Sequence, residues 1–208
     1  MNRNFDIDAK NWDNDEGRMR VSLAVAAAMA SALEPEGGET LLDYGAGTGV
    51  IALKLSERVG NVIAADSSRG MLEVLDGKIA ASGVTNIRTM FLDLVNDPYP
   101  AEGVSADIIV SSMTLHHISD TAKVISALYR ILAPGGRIAV ADLDSESGDF
   151  HADNTGVHHF GHDRATLKTA FANAGFRDIN ITTAHTLNKP ASSGELKSFP
   201  IFLLAARK

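Results

Sequence analysis

The residues best spaced to bind a ligand lie in the segment Asp43–Gly49, where one aspartate precedes three glycines. The run Thr40–Tyr44 reads as a short buried strand, and a helical pattern over Val50–Val59 follows the glycines. Glycines let the backbone turn sharply and let a ligand approach without meeting a Cβ atom. Because open parallel sheets bind ligands at the carboxyl ends of their strands, the segment predicts a ligand site.

The spacing of these glycines separates ligand classes. A phosphate-binding loop needs Lys followed by Ser or Thr, but Gly49 is followed by Val50 and Ile51. The dinucleotide fingerprint G-x-G-x-x-G/A, begun at Gly45, needs a small residue where Val50 stands. The spacing therefore excludes the first class and argues against the second.

Two further aspartates follow the next predicted strands. Asp66 ends the strand Asn61–Ala65, where a carboxylate can accept both ribose hydroxyls of a nucleoside. An aspartate in this place is otherwise a helix cap. Asp93 follows the third strand, Asn86–Phe91, and its alternative is a solvated loop residue.

The pattern D-x-G-x-G-x-G resembles the first motif of class I S-adenosylmethionine (SAM)-dependent methyltransferases, and the resemblance covers about residues 40–142. It implies that the turn wraps the amino-acid end of SAM, with S-adenosylhomocysteine as the product. Asp43 would accept from the ligand's ammonium group, directly or through water. Backbone groups of Gly45, Ala46 and Gly47 would meet the rest of the methionine portion. A structural turn without a ligand is the alternative.

Five positions further along have expected roles in the same pocket, and the resemblance implies those of Asp93 and Leu94. Asp66 would hold the ribose, and Ser67 would line the same pocket. Met71 would pack against the adenine ring, although a Met at helical spacing is otherwise a core residue. Asp93 would accept from the adenine amino group, and Leu94 would offer its backbone N–H to the ring.

The fourth predicted strand, Ala106–Ser111, ends at a further candidate. Ser111 would make a backbone contact with SAM, because the carboxyl end of this strand should face the methyl donor. The stretch Leu132–Arg137 also resembles the family's turn into the fifth strand, which is a structural signature more than a site.

Methyl transfer is an in-line displacement that mainly needs an aligned nucleophile in a shielded pocket, so no residue is assigned as catalytic. A histidine can remove a proton from the acceptor, and His158 or His159 would serve. The spacing of the histidines supports no particular metal site, and polar loop residues without a special role are the alternative. His116 and His117 follow the fourth strand. The candidates for a metal are the four histidines of the later segment with two acids: His151, His158, His159, His162, Asp149 and Asp153.

Strands alternate with helices along the chain, which predicts a parallel sheet with helices on both faces. The last two strands, Arg177–Thr183 and Ser198–Ala206, have no helical pattern between them and predict an antiparallel hairpin. The expected fold class is α/β: a doubly wound, mostly parallel seven-stranded sheet with a C-terminal antiparallel hairpin, the Rossmann-like methyltransferase fold. Residues 1–208 are expected to form a single domain.

Two flanking segments are expected to cover the site. Residues 1–17 read as an irregular arm, and a helix follows from about Arg18 to Leu33; together they would fold over the SAM pocket as a lid. Trp12 would either shield the ligand or anchor the arm in the core. Residues 143–162 would cover the substrate.

Composition limits the partners. The formal net charge is -7 and no basic cluster is visible, which argues against nucleic acid. There is no cysteine, so disulfides, thiolate metal sites and cysteine nucleophiles are excluded. The longest apolar stretch is too short to span a bilayer and no secretory signal is visible, so we expect a cytoplasmic protein without a membrane partner.

Three function classes remain open. A methyltransferase acting on a small molecule comes first, ahead of one acting on proteins. A nicotinamide-dependent oxidoreductase is second, and Val50 and the absence of a Tyr-x-x-x-Lys pair argue against it. The third is a non-catalytic member of the fold that binds SAM or a protein partner. The acceptor, the methylated atom and the oligomeric state are not encoded in any pattern we recognise.

Overall fold

The computed structural model describes residues 5–97, 104–191 and 194–208, and within these ranges seven strands form one sheet. Their order across the sheet is β3-β2-β1-β4-β5-β7-β6. The strands are β1 (Thr40–Tyr44), β2 (Asn61–Asp66), β3 (Ile87–Phe91), β4 (Ala106–Ser112), β5 (Leu132–Leu143), β6 (Arg177–Pro190) and β7 (Leu196–Arg207).

Pairing in the sheet is parallel from β3 to β5, and β7 runs antiparallel to both β5 and β6. The predicted fold class is therefore confirmed, including the C-terminal hairpin. The hairpin is longer than predicted, because its ladder continues to the pair Pro190↔Leu196. The added stretch of β6 is largely polar, so hydrophobic alternation did not reveal it.

Six α-helices lie within the described ranges, and local capping explains several of their ends. Ser68, Asp120 and Asp163 each accept a backbone N–H in the first turn of the helix that follows. The helices are α1 (Phe5–Asp8), α2 (Glu16–Leu33), α3 (Val50–Leu55), α4 (Arg69–Ser82), α5 (Thr121–Ile131) and α6 (Arg164–Ala174). The predicted helix over Val50–Val59 is shorter than expected, since α3 gives way to a 3-10 turn at Ser56–Arg58.

The N-terminal segment differs from the prediction of an irregular arm. Its described part is helical, with α1 followed by a 3-10 helix over Ala9–Asn14. These turns lack an apolar stripe of their own, so the sequence pattern gave no helical signal. The carboxylate of Asp6 instead accepts hydrogen bonds from Ser68 Oγ (2.6 Å) and the Gly70 backbone N–H (2.8 Å), which hold α1 against α4.

The core lies in two layers, one on each face of the sheet. Helices α2 and α3 pack on one face, and α5 and α6 pack on the other. Successive residues of β1 divide between the layers, with Leu41 in the first and Leu42 in the second, as strand geometry requires. Within the described ranges, no helix is both long and apolar enough to cross a membrane.

Candidate functional site

A cavity of about 960 Å³ lies at the carboxyl ends of β1 to β4. From β1 the chain builds β2 and β3 on one side, and β4 pairs with β1 on the other, so the cavity sits at the switch point of the sheet. Its volume is near the upper end of the range of about 300–1,000 Å³ usual for ligand pockets. The position and size suit one large ligand or two smaller ones.

The glycine turn forms one wall of this cavity. Gly45, Gly47 and Gly49 have φ angles of 75°, 55° and 81°, in the left-handed region that favours glycine. A Cβ on Gly45 would lie 2.3 Å from Thr114 Oγ1, and one on Gly49 would lie 2.1 Å from Leu75 Cδ1. A Cβ on Gly47 would meet no described protein atom within 4 Å, so the space beside it is left to the cavity.

Asp43 is the most unusual acid of the cavity wall. Its side chain is buried, and Oδ2 has no hydrogen-bond partner among the residues that the structure describes. Burial, together with the nearby charge of Asp66, raises the pKa of Asp43 to about 7. A buried carboxylate oxygen without a partner is costly, and a cationic ligand group in the cavity would remove that cost.

Asp66 connects the glycine turn to the start of α4. Its Oδ2 accepts the backbone N–H of Gly47 at 2.7 Å, and its Oδ1 accepts that of Ser68 at 2.8 Å. Burial raises the pKa of Asp66, although these two N–H groups oppose the shift. Each carboxylate oxygen has a second lone pair, so Asp66 can still accept hydroxyl groups of a ligand.

Eight of the ten residues predicted from the sequence to bind the cofactor line this cavity: Asp43, Gly45, Ala46, Gly47, Asp66, Ser67, Met71 and Asp93. Asp93 accepts the backbone N–H groups of Val95 (3.0 Å) and Asn96 (3.1 Å) through Oδ1. Its carboxylate therefore also closes the local turn after β3.

The other two predicted residues, Leu94 and Ser111, do not contribute to the lining as the described residues define it. Leu94 is fully buried in the core. The hydroxyl of Ser111 donates to the Tyr44 carbonyl oxygen at 2.8 Å, which ties β4 to β1. The lining at the carboxyl end of β4 comes instead from the next residues, Ser112, Met113 and Thr114.

A buried histidine and aspartate pair lies at the same edge. His116 Nδ1 is 2.6 Å from Asp142 Oδ1, and the His116 backbone N–H reaches Asp142 Oδ2 at 3.2 Å. Burial alone would raise the pKa of Asp142, but electrostatic attraction to the His116 ring and the hydrogen bond from it outweigh burial and lower the pKa to about 2. Sequence reasoning missed Asp142; its signal was a lone acid after the apolar run of β5.

Three histidines from two segments converge beside this pair. His116 and His117 follow β4, and His151 lies in the segment 143–162; all three line the cavity. The two histidines predicted to act on a substrate lie elsewhere. His158 is exposed, and His159 Nε2 faces the Ile118 carbonyl oxygen at 2.9 Å; neither belongs to the lining formed by the described residues.

The N-terminal segment covers the cavity from the solvent side. Phe5, Trp12 and Arg18 contribute to its lining, and the Arg18 guanidinium lies 3.9 Å from the Trp12 ring centroid. Asp13 accepts a hydrogen bond from Thr48 Oγ1 at 2.6 Å and pairs with Lys78. Asp13 thus attaches the segment to the glycine turn and to α4, and Asp6 attaches it to the start of α4.

Comparison with known proteins also indicates a methyltransferase domain in the central part of the chain. Residues 41–136 match the family model described as "Methyltransferase domain". An uncharacterised methyltransferase of Schizosaccharomyces pombe is 29% identical over 157 residues, which are 69% of this chain and 55% of that protein. A demethylmenaquinone methyltransferase of Clavibacter sepedonicus is 33% identical over 118 residues, 57% of this chain and 46% of that protein.

The chain therefore spans about half the length of the curated relatives it matches. Among solved structures, a SAM-dependent methyltransferase from Aquifex aeolicus superposes with a TM-score of 0.71 at 21% sequence identity. The superposition covers 97% of each chain. At this identity the structural match supports the fold.

Proposed function

We propose that this chain contains a domain of the class I SAM-dependent methyltransferase family, with SAM as its cofactor, and that the protein transfers the methyl group of SAM to a small-molecule acceptor. The observation that carries the proposal is the unpartnered Asp43 Oδ2, buried in the wall of the cavity at the glycine turn. The SAM ammonium group is a cation of the right kind to pair with it.

The cavity wall suggests how SAM would lie. Its methionine portion would meet the backbone of Gly45, Ala46 and Gly47, with the ammonium group at Asp43. The ribose hydroxyls would reach the remaining lone pairs of Asp66. The adenine ring would then lie toward Met71 and Asp93, which line the cavity farther along the strand ends.

The other predicted positions would have lesser roles in binding SAM and the acceptor. Ser67 lines the cavity beside Asp66 and would face the nucleoside. Ser111 and Leu94 would act through the backbone they hold in place, since their side chains are buried in the protein. The N-terminal segment would serve as the lid, and the segment 143–162 would supply part of the acceptor side.

A small acceptor fits the enclosed shape of the site. The N-terminal segment and residues Phe150–Asp153 narrow the cavity over the strand ends, leaving about 960 Å³ for both substrates. The Clavibacter relative is a demethylmenaquinone methyltransferase, so quinol-type rings are the first acceptor class to test. Displacement at the methyl group needs the acceptor atom in line behind it, about 3 Å away, with water excluded.

The test is a calorimetric titration with SAM, S-adenosylhomocysteine and NADH, followed by turnover assays with methyl-labelled SAM across a metabolite panel. We expect both sulfur ligands to bind and NADH not to bind. Asp66→Asn should weaken SAM binding by about 1–3 kcal/mol, because it alters the acceptor of the ribose hydroxyls.

Glu73→Gln is the matched control, since Glu73 is an exposed acid on α4 outside the cavity lining. Binding of NADH without either sulfur ligand would refute the proposal. Tight SAM binding without turnover of any compound in the panel would indicate a non-catalytic SAM-binding protein and contradict the proposed enzymatic activity.

A further inference from the structure

We propose that His116, His117 and His151 form a binding site for a divalent transition-metal ion of the zinc class, open to the cavity. One ring nitrogen of each histidine lies within 4.8 Å of the others. Three imidazoles are a known ligand set for zinc, and a fourth position left open is typical of catalytic sites. The spacing of the histidines in the sequence does not predict this site, because the ligands come from two distant segments.

The distance between two of the ligands matches zinc coordination. His116 Nε2 and His151 Nε2 are 3.2 Å apart and share a hydrogen bond, which a metal ion would replace once the His151 proton moves from Nε2 to Nδ1. Two nitrogens bound tetrahedrally at about 2.0–2.1 Å from zinc lie about 3.3–3.4 Å from each other. The ring of His117 lies 4.1 Å from that of His116, centroid to centroid, so a small ring movement completes the set.

Neighbouring oxygens fix two of the imidazoles in the tautomer that a metal needs. The Asp142 carboxylate accepts from His116 Nδ1 at 2.6 Å, and the Gly156 carbonyl oxygen accepts from His117 Nδ1 at 2.8 Å. In both rings the proton is thereby held on Nδ1, which leaves the lone pair on Nε2. Carboxylate and carbonyl partners of this kind orient metal-binding histidines in proteins.

The backbone around the cluster is also held. The His116 carbonyl oxygen accepts the N–H groups of His158 (2.9 Å) and His159 (3.1 Å), which joins the turn after β4 to the segment 143–162. The ligands are therefore carried by two segments already bonded to each other. Such an arrangement lowers the ordering cost of binding a metal ion.

The open fourth position would face the acceptor half of the cavity. An oxygen of the acceptor, such as a phenol or quinol hydroxyl, would occupy it, and the metal would favour its deprotonated form. This role rests on the proposed methyl transfer, whereas the metal site itself does not.

The test uses the full chain without an affinity tag, stripped with EDTA and dialysed, and titrated with zinc chloride by calorimetry. Cobalt(II) absorption spectra serve as a second probe that reports coordination geometry. We expect one zinc per chain, and His117→Gln and His151→Gln should each weaken it at least tenfold. Asp142→Asn should weaken it by about 10–100-fold through His116.

His158→Gln is the control, because it removes an exposed imidazole of the same segment and should leave zinc affinity unchanged. No zinc binding by the parent protein, or undiminished binding by both cavity variants, would overturn the site. Both variants change half-buried residues, and circular dichroism of each would confirm that it is folded.

S-adenosylhomocysteine titrated into the same EDTA-treated protein separates this inference from the proposed function. Ligand binding without zinc binding would leave the methyltransferase proposal intact and remove the metal site. Zinc binding without binding of S-adenosylhomocysteine would support the metal site and contradict the methyltransferase proposal.

Discussion

Asp43 shows at the scale of one residue how a binding site can oppose stability. Its carboxyl group is buried with one oxygen unpartnered, and burial followed by the charge of Asp66 raises its pKa to about 7. The ordinary value for an aspartate is 3.8. The ligand-free protein therefore keeps an acid where its ionised form is disfavoured, a cost that the ammonium group of SAM would remove under the proposed function.

Asp43→Asn should stabilise the ligand-free protein, and more so at pH 8 than at pH 5. The folded state holds the Asp43 proton between about pH 4 and pH 7 while the unfolded chain releases it, so the free energy of unfolding falls as pH rises through this range. Asparagine does not ionise, so the variant should not lose this part of the free energy of unfolding as the pH rises. Urea unfolding at pH 8 should show a gain of about 1–4 kcal/mol.

Glu73→Gln, which changes an exposed acid, should leave the unfolding free energy of the protein unchanged at both pH values. A stabilisation by Asp43→Asn that is absent at pH 8, or equally large at pH 5, would contradict the raised pKa of Asp43.

Residues at strand ends were predictable where local order alone places them. Asp43 and Asp66 lie at the carboxyl ends of β1 and β2, and Asp93 follows β3, so the order of elements brings them to one edge of a parallel sheet. The partnership of His116, Asp142 and His151 joins three separate segments. No local spacing expresses it, and only the folded chain shows which of seven histidines meet.

At the scale of elements, the glycine turn is held by different constraints at each glycine. Gly49 faces the buried side chain of Leu75, whereas Gly47 faces open cavity, and both have positive φ. Backbone strain therefore opposes a side chain at both positions, and overlap with Leu75 adds to it at Gly49.

Gly49→Ala should lower the free energy of unfolding by about 2–4 kcal/mol, because left-handed backbone strain adds to overlap with Leu75. Gly47→Ala should cost only about 1–2 kcal/mol, from the strain alone. Urea unfolding of both variants measures the difference. Equal losses would show that the Leu75 contact does not limit position 49.

The N-terminal segment is the element most able to gate the cavity. Asp13→Asn should speed release of S-adenosylhomocysteine up to about fivefold, since it weakens a partly exposed ion pair worth about 0.2–1 kcal/mol. Trp12 is the single tryptophan and lines the cavity, so stopped-flow fluorescence can follow release directly.

Lys54→Gln breaks the exposed Lys54–Glu57 pair on the neighbouring α3 and 3-10 turn and serves as the control. Equal release rates for Asp13→Asn and the parent protein would show that this contact does not hold the segment closed.

Element boundaries were predictable where caps and periodicity agree, and they failed where tertiary contacts decide. Ser68 caps α4 and Gly83 ends it, and both are residue types typical of these positions. The helical turns of the N-terminal segment depend on Asp6 meeting α4, a contact between distant parts of the chain. Propensity alone gave no sign of them.

At the scale of the whole molecule, alternation of strands and helices was sufficient to predict the sheet, its helical layers and the terminal hairpin. It did not predict that the long polar end of β6 reaches the site. Leu187, Asn188 and Lys189 line the same cavity as the glycine turn, although they lie outside the predicted strand. This side of the cavity is thus built by a part of the chain with a weak sequence signal.

The central claim is that one cavity binds SAM with its amino-acid end at Asp43 and its nucleoside end toward Asp93. The most direct test is calorimetric titration of the parent protein and Asp43→Asn with two ligands. S-adenosylhomocysteine carries the amino-acid portion, and 5′-methylthioadenosine lacks it. We predict that Asp43→Asn weakens the first at least tenfold, about 1.4 kcal/mol, and leaves the second unchanged. Equal effects on both ligands, or no effect on either, would contradict the proposed placement.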